Sequence, residues 1–321
     1  MVLTATDKLT AIEAVKRNGV SDDQRRIIET MTVTNEMLLD IPVFEANDAT
    51  VHTHLVRTAL PKVERRTYNR GVGTSASQTA VTRDVMTEIM SIAEVDAKLV
   101  RENRDPQGFL SGENAAFIEA MGQQQAEDMI YGNNAGDPAN INGLAARRAK
   151  IGDLCKSFGG SGSGLTSLYL VKTGRNKVSY IYPKGAKGIG VDRDDRGIQV
   201  VTDPNGKKFK AYQNIFTCDY GLSVGNEKSL IRIANIDPKN INGDNLIKEI
   251  LTLYRKLAVG EGNVVAYCNA DVLNAIDLSI AEKGNVNYTM EDPWGRAMLS
   301  LRGIRFRQVD AILNTESAVT A

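Results

Sequence analysis

The chain has 321 residues, 42% hydrophobic and 24% charged, which is the balance of an ordinary globular protein. Lys and Arg number 39, as do Asp and Glu, so the formal net charge is zero. A dedicated nucleic-acid binder carries a basic excess, so that class is set aside, leaving only weak contact with DNA through a local patch. Cys155, Cys218 and Cys268 stand far apart with no CxxC or Cys/His spacing. That pattern argues against zinc and for free buried thiols of a reducing compartment. The N-terminus lacks an apolar signal region, and no run is long enough to span a bilayer. The expectation is a chain made and folded in a cytoplasm, with no membrane partner.

Asp7 to Asn18 reads as a short helix with Leu9, Ile12 and Val15 on one side, stopped by Gly19. Ser21 with Gln24 is a capping-box signature. It opens a second helix carrying Ile27, Ile28, Met31 and Leu38, which Pro42 ends. This start is polar and poor in core residues, like an arm laid over something else. Val51 to Thr58 is rich in β-branched residues and strand-like. The stretch that follows holds Leu60–Pro61, Arg65–Arg66, Arg70 and Gly71 to Ser77, and has little to bury. A connection this long is functional or disordered, and a hairpin reaching to a partner fits it. Val81 to Val95 is an apolar-rich strand, Asp96 to Glu102 a short helix, and Asp105–Pro106–Gln107–Gly108 a turn.

The longest predicted element is a helix from Ser111 to Asn133. Ser111 suits the N-cap, Glu113 the first turn, and Gly132 a left-handed C-terminal cap. Phe117, Ala120 and Met121 lie on one side; Ile118, Met129 and Ile130 wrap onto another, with Ala115, Ala116 and Ala126 between. A surface helix keeps one apolar stripe. This pattern fits either a long core helix or a spine helix with its own sheet on one side and other elements or subunits on the other.

Gly159 to Gly164 marks an exposed loop or subdomain boundary. Strands are expected at Leu168–Lys172, Val178–Tyr182, Ile198–Thr202, Phe209–Asp219 and Leu230–Ile236. Asp244 is the expected cap of a helix with Ile247, Leu251, Tyr254 and Ala258 on one face. Val264–Cys268 reads as a buried strand, and Asn269 caps a helix with Val272, Leu273, Ile276 and Ile280 inward. Gly303 to Arg307 alternates as a last strand. The class is α+β.

No stretch carries the chemistry of an enzyme. The glycine run lacks a GK[ST] ending and leads towards a strand, whereas a phosphate loop needs a helix N-terminus. Gly185 to Gly190 fails the dinucleotide fingerprint. Asp192, Asp194 and Gly197 begin like a calcium loop, but Arg196 occupies a ligand position, so a polar turn is expected. His52 and His54, the only histidines, share a strand face and form at most half a metal site, with no carboxylate or cysteine placed to help. No triad or GxSxG elbow occurs. No catalytic residue, cofactor or metal site is expected. A large chain with a reaching arm, a polar hairpin and a helix apolar on several sides has the traits of a self-associating protein.

Short segments in a fixed order carry a family resemblance. They are Thr34–Pro42 (TNEMLLDIP), Arg57–Pro61 (RTALP), Tyr68–Val72 (YNRGV), Glu94–Asp96, Phe117–Met121 (FIEAM), Tyr131–Asn133, Gly143–Ala145, Tyr182–Gly185 (YPKG), Arg232–Asp237 (RIANID) and Tyr267–Asn269. In this order the chain resembles tailed-bacteriophage major capsid proteins of the Hong Kong 97 fold, over nearly its whole length. The resemblance implies an N-terminal arm and helix in residues 1–45, and an extended loop in 46–80 that lies across a neighbouring subunit. It implies a peripheral domain in 81–149 with a spine helix at 112–131. Residues 150–300 would be mainly an axial domain lining fivefold and sixfold centres, and 301–321 a strand returning to the peripheral domain. Arg57, Lys62, Arg65, Arg66 and Arg70 would make inter-subunit contacts through the loop, and Phe117, Ile118, Met121 and Met129 would pack the spine helix.

The implied partners are the chain itself, in pentamers and hexamers of an icosahedral shell, together with scaffolding, portal and decoration or cement proteins. The implied location is the virion capsid, assembled in the host bacterial cytoplasm. Lys62 lies in the region where some members cross-link, but no surrounding motif supports that chemistry, and self-cleavage is not expected. The alternatives are an encapsulin-like nanocompartment shell and, further off, a cytoplasmic α/β enzyme.

Overall fold

The computed structural model describes residues 36–186, 190–202, 205–282, 288–290 and 299–320. The helices expected before residue 36, apart from the end of the second, lie outside these residues. Helix α1 (Met37–Asp40) is that end, and it leads into β1 (Val43–Glu45). β2 (Val51–Ala59) and β3 (Gln78–Asp96) form a long antiparallel hairpin. β3 alone has 19 residues, about 60 Å of strand. α2 (Ala97–Glu102) follows, capped by the Asp96 side chain, and then α3 (Pro106–Tyr131) and α4 (Leu144–Arg147).

The second half contains β4 (Cys155–Ser157), β5 (Ser163–Lys172), β6 (Val178–Tyr182), β7 (Asp192–Thr202), β8 (Lys208–Val224) and β9 (Leu230–Ile236). It continues with α5 (Gly243–Tyr254), β10 (Val264–Cys268), α6 (Ala270–Glu282), β11 (Tyr288–Met290), β12 (Leu299–Leu301), β13 (Ile304–Gln308) and β14 (Glu316–Ser317).

The strands among the described residues form two sheets. The first has the order β1-β6-β8-β3-β2, with β7 also paired to β8. The second runs β11-β12-β13-β10-β5-β9-β4, with β14 paired to β5. The central strands β5, β9 and β10 of the second sheet are buried on both faces, which is why they read as largely unbroken apolar runs. In β5, Leu168 and Leu170 face α5 and α6, while Tyr169 and Val171 face the core shared with α3. In β10, Val264, Ala266 and Cys268 take the first side, and Val265 and Tyr267 the second. A period of two splits one strand between two cores.

Several local expectations are corrected. α3 starts at Pro106, five residues before Ser111. Asp105 is its cap, accepting from Gly108 N at 3.0 Å, and Pro106 fills the first turn, where its missing N–H costs nothing. Gly132 is extended rather than left-handed, with φ −46° and ψ 134°. Glycine is needed there for space: a Cβ would sit 2.4 Å from the Asp128 carbonyl and 2.8 Å from that of Ile141. Asp192 to Gly197 belongs to β7 instead of a turn, with the irregularity confined to Asp195–Ile198 and Gly197 at φ 62°. The cap of α5 is Asn242, whose side chain accepts from Asn245 N at 3.0 Å. Its buried face is Leu246, Ile250 and Leu253, turned one residue from the expected stripe. Asn269 caps α6 as expected, accepting from Val272 N at 3.0 Å.

Candidate assembly surfaces

α3 is fixed to the first sheet by apolar and polar contacts in turn. The rings of Phe117 and Phe216 stack with centroids 6.3 Å apart. Ile118, Met121 and Met129 are buried in the core shared with the second sheet, and Phe117 packs against it half-buried. Asn114 Oδ1 accepts from Asn214 Nδ2 at 3.1 Å. Near the other end the Tyr220 hydroxyl donates to Asp128 Oδ2 at 2.5 Å. The opposite side of the helix is open: Ala115, Ala116 and Ala120 are exposed, as are Glu113, Glu119 and Glu127. The helix contains no lysine or arginine.

The hairpin leaves the sheet at a buried ionic clamp. Asp84, 1% exposed, accepts from Arg147 Nη2 at 2.8 Å and from Val224 N at 3.3 Å. Arg147 also donates to the carbonyls of Leu222 (2.8 Å) and Asn142 (3.0 Å). His54 Nδ1 lies 3.5 Å from Asp84 Oδ2, and the His52 and His54 rings are 6.0 Å apart. A carboxylate therefore does reach the histidines, contrary to expectation, but no three metal-ligating side chains converge among the described residues. Burial, then His54, holds the His52 imidazole below its usual value.

Beyond the clamp the hairpin is bare. Arg57, Lys62, Arg65, Arg66 and Arg70 are all exposed and make no ion pair among the described residues; Arg66 Nε donates to the Arg70 carbonyl at 3.0 Å. Leu60, Val63 and Tyr68 are 74%, 93% and 99% exposed. The tip turns at Tyr68–Asn69, with Asn69 in the left-handed region that asparagine tolerates. Exposed apolar side chains in this number mark a surface that something covers.

Two further buried ion pairs tie the chain ends to this frame. Arg232 Nη2 meets Glu316 Oε2 at 2.9 Å, and the Tyr131 hydroxyl donates to Glu316 Oε1 at 2.7 Å. After β13 the chain thus comes back over the end of α3, with Val309 and Ile312 in the shared core. Arg307 grips Asp40 through Nε and, at 2.8 Å, through Nη2, anchoring α1 to the second sheet. Burial nevertheless raises the Asp40 carboxyl above its ordinary value, Arg307 opposing it. Sequence reading missed all these ions. Their one signal is a charge inside an apolar strand, as at Asp84 and Arg232.

An open cleft of about 500 Å³ lies beside Arg147, Arg148 and Cys155. Its arginines are committed, Arg147 to Asp84 and Arg148 to the carbonyls of Leu230 and Glu227. Burial raises the Cys155 thiol, against the nearby arginines, so it is not an activated nucleophile. Among the described residues no helix is long and apolar enough to cross a membrane.

A family model described as major capsid protein GP7 matches residues 19–320. The solved structure of bacteriophage Epsilon15 is 29% identical, covers 88% of each chain and has a TM-score of 0.63. The capsid of bacteriophage JBD30 is 9% identical over 92% of this chain and 97% of that one, with a TM-score of 0.49. The SrpI encapsulin of Synechococcus elongatus is 11% identical over 65% of this chain and 89% of that one, with a TM-score of 0.42. The last two fall too low in identity and TM-score to bear on the chain's role. No curated protein matches the chain. The fold is the Hong Kong 97-like fold expected from the sequence. The chain belongs to the major capsid protein GP7 family: it is a structural protein and not an enzyme, and its copies associate with one another to build the capsid shell of a virion.

Proposed function

We propose that this shell is icosahedral, is made of pentamers and hexamers, and encloses the double-stranded DNA of a tailed bacteriophage. The extended loop, residues 46–80, reaches across a neighbouring subunit, with Arg57, Lys62, Arg65, Arg66 and Arg70 as its steering charges. The first sheet with α3 and the hairpin forms the peripheral domain. The second sheet with α5 and α6 is mainly the axial domain, at the centres of the rings. Residues 1–45 form the arm; β13 and β14 stay in the second sheet, and within 301–321 it is the segment between them, with Val309 and Ile312 in the core shared with α3, that brings the chain back to the peripheral domain. Scaffolding, portal and decoration proteins are the further partners, contact with packaged DNA is weak and non-specific, and assembly takes place in the host cytoplasm.

One observation carries this reading: a hairpin held at its root by a buried ion pair projects a tip on which Leu60, Val63 and Tyr68 stay exposed. A specific interface buries roughly 1,200–2,000 Å². Several such contacts per subunit, each modest, combine when they close a symmetric shell. Deleting residues 60–74 tests it. The expected product is a subunit with the circular dichroism of the natural chain that no longer forms stable shells in sedimentation; normal shells without the loop would overturn the role given to the hairpin.

A further inference from the structure

Three turns meet where the chain crosses between the two sheets, and together they concentrate positive charge. Residues 172–177 lead from β5 to β6, 225–229 from β8 to β9, and 255–263 from α5 to β10. Backbone bonds tie each turn to the other two. Thr173 N donates to the Asn263 carbonyl at 2.9 Å, Gly225 N to that of Lys177 at 2.8 Å, and Ala258 N to that of Lys228 at 3.0 Å. Side chains repeat the links: Lys172 Nζ donates to the Ala258 carbonyl at 2.8 Å, and Lys177 Nζ to that of Glu261. The turns carry Lys172, Arg175, Lys177, Lys228, Arg255 and Lys256, and Arg148 joins them by donating to the Glu227 carbonyl. Seven cations thus stand against two carboxylates, Glu227 and Glu261. Arg148, Lys172, Arg175, Lys228, Arg255 and Lys256 form no ion pair among the described residues. Arg175, Lys228, Arg255 and Lys256 are exposed.

We propose that these three turns are where the chain touches DNA phosphates, a proposal that rests on the reading above that the shell encloses double-stranded DNA. The chain as a whole is neutral, so this excess is a local feature and not a bias of composition. A clustered basic patch is the electrostatic footprint of nucleic-acid contact. Four of the seven cations are lysines. Lysine meets a phosphate as a point charge and asks for no fixed geometry, whereas protein–protein interfaces favour arginine and are depleted in lysine. Phosphates therefore suit the patch better than the carboxylates of another protein. Arg148 and Lys172 spend donors on carbonyls, which fixes their position and leaves their charge uncompensated. The turns contain no aromatic residue on which a base could stack, so the contact is with the backbone of a duplex and is independent of sequence.

The test uses the full chain as the unassembled subunit, titrated into a short labelled DNA duplex and followed by anisotropy over a range of salt. The natural chain should bind with an affinity that falls with salt and changes little with sequence. K228E/R255E/K256E reverses three exposed cations whose side chains make no hydrogen bond among the described residues, so melting should be kept. Its affinity should fall roughly tenfold or more at low salt, and its slope of log K against log salt should flatten by about two to three. K98E/R101E/R104E makes the same charge change on and just after α2 and should leave that slope unaltered. An unaltered slope in K228E/R255E/K256E, or an equal loss in K98E/R101E/R104E, would overturn the assignment. So would a K228E/R255E/K256E chain that binds DNA like the natural one but fails to assemble without DNA, which would give the patch to the carboxylates of another protein. Nuclease-protected DNA in purified virions separates the two levels. Where it is present and K228E/R255E/K256E still binds the duplex like the natural chain, only the patch has failed; virions without it overturn the reading that the shell encloses DNA, and this proposal with it.

Discussion

Tyr220 and Asp128 meet across the boundary between the first sheet and α3 at 2.5 Å, with the phenol donating to a buried carboxylate. A bond to an ionised acceptor is shorter and stronger than a neutral one. Asp128 Oδ1 also accepts from Gln124 Nε2 at 3.1 Å and Asn140 Nδ2 at 3.2 Å, so one carboxylate joins helix, sheet and the loop after α3. Burial and this partner push the Tyr220 phenol well above its usual value. Tyr220→Phe should cost about 1–3 kcal/mol, the penalty for an orphaned buried acceptor. Chemical denaturation of the unassembled subunit measures it, and an unshifted midpoint would mean that Asp128 is satisfied without Tyr220.

Asp84→Ala should be more damaging. It leaves the Arg147 guanidinium buried without its counter-ion, a change that costs about 3–5 kcal/mol. Asp84→Leu with Arg147→Met removes both charges and should recover most of the loss. A double-mutant cycle gives the coupling; losses that simply add would show that the two residues do not act as a pair.

The hairpin root should loosen in acid. The folded state holds His52 below its ordinary 6.5, so it favours the neutral ring more than the unfolded chain does. The stability this contributes is complete above the unfolded value and is lost as pH falls through the depressed one. Amide protection factors in 51–56 and 80–85 should fall as pH drops below about 6.5, and His52→Asn should flatten that response. A natural chain whose protection stays level down to pH 5 would refute it.

The second half of the chain was legible because its signals are local. Val264–Cys268 and Leu230–Ile236 are apolar runs of strand length, and Asn269 precedes its helix at capping distance. α3 was legible in its middle and misjudged at both ends. Asp105–Pro106 reads equally as a turn and as a helix start, and only the Gly108 N–H pointing back at Asp105 separates the two. The conformation of Gly132 depends on the Ile141 carbonyl nine residues on, which no local pattern encodes. The hairpin showed itself as a stretch with nothing to bury. The clamp at its root did not, because Asp84 and Arg147 are 63 residues apart and meet only through the fold. The Glu88–Asp219 pair was invisible for the same reason: the two carboxylates face each other only once the β3–β8 register is set.

The thiols should be inert in the folded subunit. Burial pushes Cys218 and Cys268 up to about 12, and Cys155 is raised as well, so little thiolate exists at neutral pH. A thiol reagent should modify none of the three in native buffer and all three in denaturant. Rapid native labelling of Cys218 would contradict its place under α3.

The central claim is that this chain's copies build a shell, and electron microscopy of the purified full-length protein, with light scattering alongside, tests it most directly. The account predicts shells, tubes, or rings of five and six subunits. A monomer that stays monomeric even when co-expressed with the products of its neighbouring genes would contradict it.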